Sequence, residues 1–125
     1  MKITDNWYSF EIPERLEKLV KVRKRRNHID LVLSQEEDNG CSGLLVTIKC
    51  LKRKPSQVDD YTEFLGYLTG DNGESRYLYA AYGKEGSVSE ENEDLYWRVR
   101  DKLCPVFDSI SPAAGKAWHI EHTAE

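Results

Sequence analysis

Chemistry in a chain begins with side chains that can hold a proton, a metal or a nucleophilic lone pair. The densest such cluster here is near the end of the sequence, at His119-Ile120-Glu121-His122. A helix would bring His119 and His122 onto one face, but the spacing is not the HExxH pattern of zinc peptidases and no second ligand cluster accompanies it. A solvated tail is the expectation, with no metal site. His28 falls at a predicted turn. The three cysteines, Cys41, Cys50 and Cys104, form no CxxC pair and are odd in number, which indicates neither a zinc knuckle nor a disulfide framework. Cys50 and Cys104 read as small core fillers.

Nucleophilic catalysis finds no GxSxG elbow. Gly66, Gly70 and Gly73 do not make a dinucleotide fingerprint, because they lie in a hairpin rather than between a strand and a helix. The acidic pairs Asp59-Asp60, Glu36-Glu37 and Glu90-Glu91 stand in loops or at a helix start, where adjacent carboxylates are solvated. The expectation is therefore no catalytic residues and no cofactor. One charged feature stands out. Lys18, Lys21, Arg23, Lys24, Arg25 and Arg26 form a basic run, and Lys49, Lys52, Arg53 and Lys54 form a second. Lysines on strand faces discourage edge pairing. In a functional reading, Lys21, Arg23, Arg25, Lys49 and Arg53 form a basic patch facing an acidic protein partner.

The elements that must position these residues centre on 64–83, FLGYLTGDNGESRYLYAAYG. Leu65, Tyr67 and Thr69 alternate with their neighbours, and so do Tyr77, Tyr79 and Ala81. Period-2 patterning rich in aromatics predicts two strands. Asn72-Gly73 supplies the positive φ angles of a tight turn. Bulky groups on both faces of the return strand, Leu78 and Tyr82 against Tyr77 and Tyr79, make it a central strand. The tyrosines read as core and sheet surface, or in a sharper reading as an aromatic binding platform.

In chain order, Trp7 to Ile12 predicts a first strand, ended by Pro13, which also opens a short helical turn. The stretches 19–26 and 28–34 predict two strands turning near Arg26-Asn27, in preference to one long helix over 13–35. A loop over 35–43 leads to the strand Leu44 to Leu51, with Leu44, Val46, Ile48 and Cys50 as its inner face. A long helix is predicted from Ser89 to Ile110. Ser89 is its N-cap, acidic residues crowd its first turns, and Leu95, Val99, Leu103, Val106, Phe107 and Ile110 form its apolar stripe. Pro105 should kink it or end it early. Residues 112–125 read as a C-terminal tail, after a single domain over 1–111, with two alternatives open for its Trp118 and Ile120: docked on the fold or hanging free.

The chain has 125 residues, 39% hydrophobic and 32% charged, with a formal net charge of −4. That fits one soluble domain and argues against nucleic acid as the default partner. No apolar run is long enough to cross a bilayer. The expected location is cytoplasmic as the chain stands, or exported if a signal segment has been removed.

The order of YSFEIP, CSG, LLVTI, DDYTEFLGYL, RYLYAAYG and SEENEDLYWRVRDKL resembles a group of small bacterial domains, often exported, whose fold is similar to the PsbP-like α/β/α sandwich. Where such proteins often carry a tryptophan shortly after the proline, Arg15 and Leu16 stand here. The resemblance implies an antiparallel sheet with the final helix packed across it, and partners that are mostly proteins. It brings no catalytic residues. The combined expectation is an α+β fold: a largely antiparallel sheet of five or six strands with one long C-terminal helix across one face. The expected role is a non-enzymatic protein-interaction module, in one version an immunity or inhibitor protein. The alternative is small-ligand or nucleic-acid binding through 18–26 and 49–54.

Overall fold

The structure, a computed structural model, describes residues 1–36, 42–84 and 88–120. It contains strands β1 (Lys2–Thr4), β2 (Tyr8–Glu11), β3 (Val20–Arg25), β4 (His28–Leu33), β5 (Leu44–Leu51), β6 (Thr62–Thr69) and β7 (Ser75–Tyr82). Helices α1 (Glu93–Arg100) and α2 (Cys104–Asp108) follow, then β8 (Ser111–Pro112) and β9 (Ala117–His119). Two antiparallel sheets result. One has six strands in the order β3-β4-β5-β7-β6-β9, and the other has three in the order β1-β2-β8.

The large sheet is α+β in the expected sense and its middle follows the period-2 pattern closely. β3 and β4 turn at Arg26-Asn27, where Asn27 takes φ 63°, a left-handed angle that asparagine tolerates better than most residues. The rival helix over 13–35 is absent; only Glu14–Leu16 makes a 3-10 turn in its first part. β7 is central, hydrogen-bonded to β5 on one side and to β6 on the other. In the β6–β7 turn only Gly73 has positive φ (76°), because the connection is longer than a two-residue hairpin and closes through Gly70 N–H to Glu74 O at 2.9 Å.

Alternation assigns one face of this sheet to the core. Ile29, Leu31, Leu33, Ile48, Cys50, Leu68, Leu78 and Ala80 are buried there together with Tyr8 and Phe10 of β2, Ile12 just after it, and Tyr96, Val99, Leu103 and Val106 of the helical segment. Leu45 and Val46 are both fully buried although they are neighbours. The reason is a bulge. The register slips where β4 meets β5, so Leu31 faces Val46 while Val32 faces Leu44, which leaves Leu45 as the extra residue. The face expected for β5 (Leu44, Val46, Ile48, Cys50) therefore needs correction at its start, where Leu44 is half-buried and Leu45 takes the interior.

Three other expectations are corrected. The strand over 7–12 does not join the large sheet but forms the small one, pairing with β1 and β8. The predicted long helix over 89–110 is broken into a 3-10 turn (Glu90–Asn92), α1 and α2. Pro105 lies in the first turn of α2, where its missing N–H costs nothing, whereas a continuous helix would need it to donate to residue 101. The apolar stripe survives the break, since Val99, Leu103 and Val106 are all at most 2% exposed. Finally, the segment expected to leave the fold after Ser111 returns to it, as β9 pairs with the β6 edge through Tyr67↔His119, Leu68↔Trp118 and Thr69↔Ala117.

Two local features make this closure possible. Gly66 sits at a second bulge, with φ 152°, and a Cβ there would lie 2.4 Å from His119 O and 2.6 Å from the Trp118 ring. Only glycine lets β9 and Trp118 approach so closely. At the other end, Glu36 is fully buried and its carboxylate accepts three hydrogen bonds from the start of the helical segment. Ser89 N–H donates at 3.1 Å, Ser89 Oγ–H at 2.6 Å and Asn92 Nδ2–H at 2.6 Å. Ser89 is thus the N-cap residue expected, but its hydroxyl makes no local capping bond and is instead a donor to Glu36.

Two substitutions test these features. Gly66→Ala should destabilise the protein by about 1–3 kcal/mol and speed amide exchange selectively at 67–69 and 117–119; unchanged exchange there would contradict the close approach. Glu36→Gln keeps one acceptor oxygen but turns an NH2 toward the Ser89 N–H. It should lower stability by about 1–3 kcal/mol in denaturant unfolding, and an unaltered midpoint would show that the carboxylate is not needed.

Candidate functional site

With the inner face sealed, the other face of the large sheet carries the residues of interest. The register sets them in rows across the strands. Arg25, His28, Lys49, Tyr79 and Phe64 occupy one row. Arg23, Asp30, Thr47, Ala81 and Thr62 occupy the next, and Leu51, Tyr77, Tyr67 and His119 a third. Neighbouring strands lie roughly 4.8 Å apart, so β3 and Lys49 on β5 are separated by about 10 Å, close to the Debye length at physiological salt.

Four of the five expected patch residues therefore share this face: Lys21, Arg23 and Arg25 on β3, with Lys49 two strands away. Arg53 lies beyond the end of β5 in an exposed connector. The four are not equivalent. Arg25 grips Asp30 with two parallel hydrogen bonds, Nε–H to Oδ2 at 2.8 Å and Nη2–H to Oδ1 at 2.9 Å, and Thr47 Oγ1–H donates to the same Oδ1 at 2.7 Å. Burial pushes the Asp30 carboxyl up, but Arg25 and Thr47 together outweigh it and hold it below its ordinary value. The charge of Arg25 is thereby matched within the sheet.

Beside the cations runs an aromatic strip. Phe64 and Tyr79 rings meet at 5.0 Å, Tyr67 and Tyr77 at 6.3 Å, and His119 stacks on Tyr67 at 4.6 Å. Lys54 Nζ lies 4.9 Å from the centre of the Phe64 ring and 5.9 Å from that of Tyr77, within cation–π range. The tyrosines split between roles. Tyr79 is 5% exposed, whereas Tyr67 and Tyr77 are half-exposed.

The segment after β5 folds back over part of this face and makes a cleft of ≈ 290 Å³. His28, Lys49, Leu51 and Tyr79 come from the sheet, and Pro55, Gln57, Val58 and Asp59 from the connector. Asp59 folds the connector onto β6, accepting from Tyr61 N–H at 3.0 Å and Thr62 Oγ1–H at 2.8 Å, with Lys84 Nζ at 3.4 Å. The Thr62 bond, more than the opposing desolvation, holds its carboxyl below the ordinary range.

Other chemistry-bearing residues fall elsewhere. Cys50 is buried on the inner face, where desolvation pushes its thiol up to about 12, so it stays protonated and inert at neutral pH. Cys104, expected as a core filler, is exposed at the start of α2. His119 is an outer-face residue, its Nε2 3.1 Å from Thr69 Oγ1. Cys41, Glu121 and His122 lie outside the described residues, and among those described no group of three potential metal ligands converges. No described helix is long and apolar enough to cross a membrane.

Period-2 spacing puts Lys21, Arg23 and Arg25 on one face without coordinates. What it could not supply is the pairing of β5 with β4 and β7, which brings Lys49 against His28 on one side and Tyr79 on the other. Comparison with protein-family models, curated proteins and solved structures found no match to this chain.

Asp30 gives a pH test. Its folded-state pKa is lowered, so its contribution is present above the ordinary carboxylate value of 3.8 and is lost as pH falls below that toward the depressed folded value. Asp30→Asn should cost roughly 1 kcal/mol at pH 7, discounted for screening of the exposed Arg25. The variant should also show a shallower loss of stability than wild type below pH 4. Parallel acid limbs in the two proteins would contradict the pairing.

Proposed function

We propose that this chain is a non-enzymatic protein-interaction module that recognises an acidic partner surface with the outer face of its six-stranded sheet. The observation that supports this reading is the register, which sets Lys21, Arg23 and Lys49 on the same outer face as the half-buried Tyr67 and Tyr77, opposite the core. A face that carries both half-buried tyrosines and an exposed arginine edge is in keeping with interfaces, where tyrosine and arginine are enriched. An immunity or inhibitor-type role is the specific form of this proposal: a small acidic protein whose one cationic face docks on another protein. The resemblance to small bacterial domains with a PsbP-like sandwich belongs to the same reading, since that wider fold acts mostly by binding proteins.

A second reading is favoured by one observation. Lys54 over the Phe64 and Tyr77 rings, next to Lys49, is an arrangement on which the bases and phosphates of a single strand could also sit. The overall charge of −4 opposes a polyanion beyond the patch, which places the protein partner first.

The test compares wild type with Lys21→Glu/Arg23→Glu and with a control charge reversal on the helical side, Lys102→Glu. A partner captured by wild type at physiological salt should bind the double variant at least about tenfold more weakly and the control equally well. Equal affinity for both variants would rule out the outer face. Saturable binding to polyuridylate with a steep salt slope would move the second reading ahead.

A further inference from the structure

We propose that the cleft between the sheet and the 55–59 connector is a binding site for a small organic carboxylate with a flat apolar body. This goes beyond the protein-docking reading and does not depend on it. Lys49 is half-buried, lines the cleft and makes no ion pair or hydrogen bond among the described residues. A cation drawn partly out of water attracts an anion more strongly than one fully solvated, because the local dielectric is lower. The neighbouring acids do not supply that anion. Asp30 is taken by Arg25 and Thr47, and Asp59 by Thr62, the Tyr61 N–H and Lys84.

His28 adds a second polar contact of fixed orientation. Its Nδ1 lies 3.0 Å from Arg26 O, and a carbonyl only accepts, so Nδ1 carries the proton. That leaves Nε2 as the remaining polar atom of a ring lining the cleft. The rest of the lining is divided between Leu51, Pro55, Val58 and Tyr79 and the polar Gln57, Asp59 and Thr62. A single ammonium beside Leu51, Pro55, Val58 and Tyr79 suits one negative charge on a body with an apolar ring, whose polar edge can meet Gln57. A dianionic phosphate would carry twice the charge against the one ammonium and would meet the carboxylate of Asp59, which also lines the cleft. The volume, ≈ 290 Å³, lies at the small end of ligand pockets and limits the body to about one ring.

The experiment is a heteronuclear NMR titration of the full chain at neutral pH with 4-hydroxybenzoate, alongside its uncharged analogue 4-hydroxybenzamide. Saturable shifts should appear at the amides of 28, 49, 57–59 and 79. Affinity should fall at least about tenfold for the amide, and equally for Lys49→Gln, with the variant's remaining spectrum unchanged. Lys49→Arg should retain part of the affinity. The absence of saturable shifts in the cleft, shifts centred elsewhere, or equal affinity for acid and amide would each overturn the site. The amide comparison needs no variant, so the outcome stands even if Lys49→Gln perturbs the sheet. Failure here would leave partner docking through Lys21 and Arg23 intact, because those residues lie outside the cleft.

Discussion

A carboxylate with no exposure to water fixes where the helical segment begins. Glu36, at the end of the 3-10 turn that follows β4, takes the Ser89 N–H, the Ser89 hydroxyl and the Asn92 amide, so the chain entering α1 is pinned to the end of that strand. An uncompensated carboxylate buried to this degree would be strongly destabilising; three donors, two of them near the positive end of a helical turn, make it tolerable. With that anchor set, Tyr96 reaches Leu44 O at 2.7 Å and Arg100 reaches Gly83 O at 2.8 Å. The helical segment and the small sheet then share the work of sealing the inner face. Because one side of the sheet is closed this way, the other is left as the surface on which recognition can be built.

The outer face shows how a strand can serve two purposes. Successive residues of β5 and β7 point to opposite sides, so Ile48 and Leu78 supply the core while Lys49 and Tyr77 supply the surface. Asp30 and Thr47 hold Arg25 in place, which removes one cation from the patch and stiffens the β3–β4 hairpin at its exposed edge. The cationic character that remains is carried by fewer residues than the sequence run suggests. β3 is an edge strand, and its lysines and arginines also guard its unpaired backbone against pairing with other chains. Both roles can hold at once, since guarding needs only charge and docking needs charge in a particular place.

Much of the sheet was legible in the sequence because its signals are local. The alternation in 44–51 and 75–82 belongs to each strand by itself, and Asn27 is a turn residue wherever the chain folds. What was not legible depends on distant partners. β1, β8 and β9 have two or three residues each, too few to show a period, and exist because Phe10, Ser9 and Leu68 lie opposite them. Trp118 docks only because Gly66 lacks a side chain, and no pattern within either segment announces the other. The broken helix was half legible: Pro105 signalled an interruption, but the placement of a second helix after it depends on Leu103 and Val106 reaching the same core. The candidate site divides likewise. The β3 cations were visible as a pattern, whereas the cleft required knowing that β5 pairs with β7 and that Asp59 folds the connector back.

The central claim is that this protein has one sealed face and one available face, with the cations and half-exposed tyrosines on the second. Hydroxyl-radical footprinting of the native chain, read ring by ring, measures this directly. Tyr67 and Tyr77 should oxidise readily, whereas Tyr8 and Tyr96, each 1% exposed, should be strongly protected. Protection of Tyr67 and Tyr77 in the isolated chain, or oxidation of Tyr8 and Tyr96 at the same rate, would contradict it.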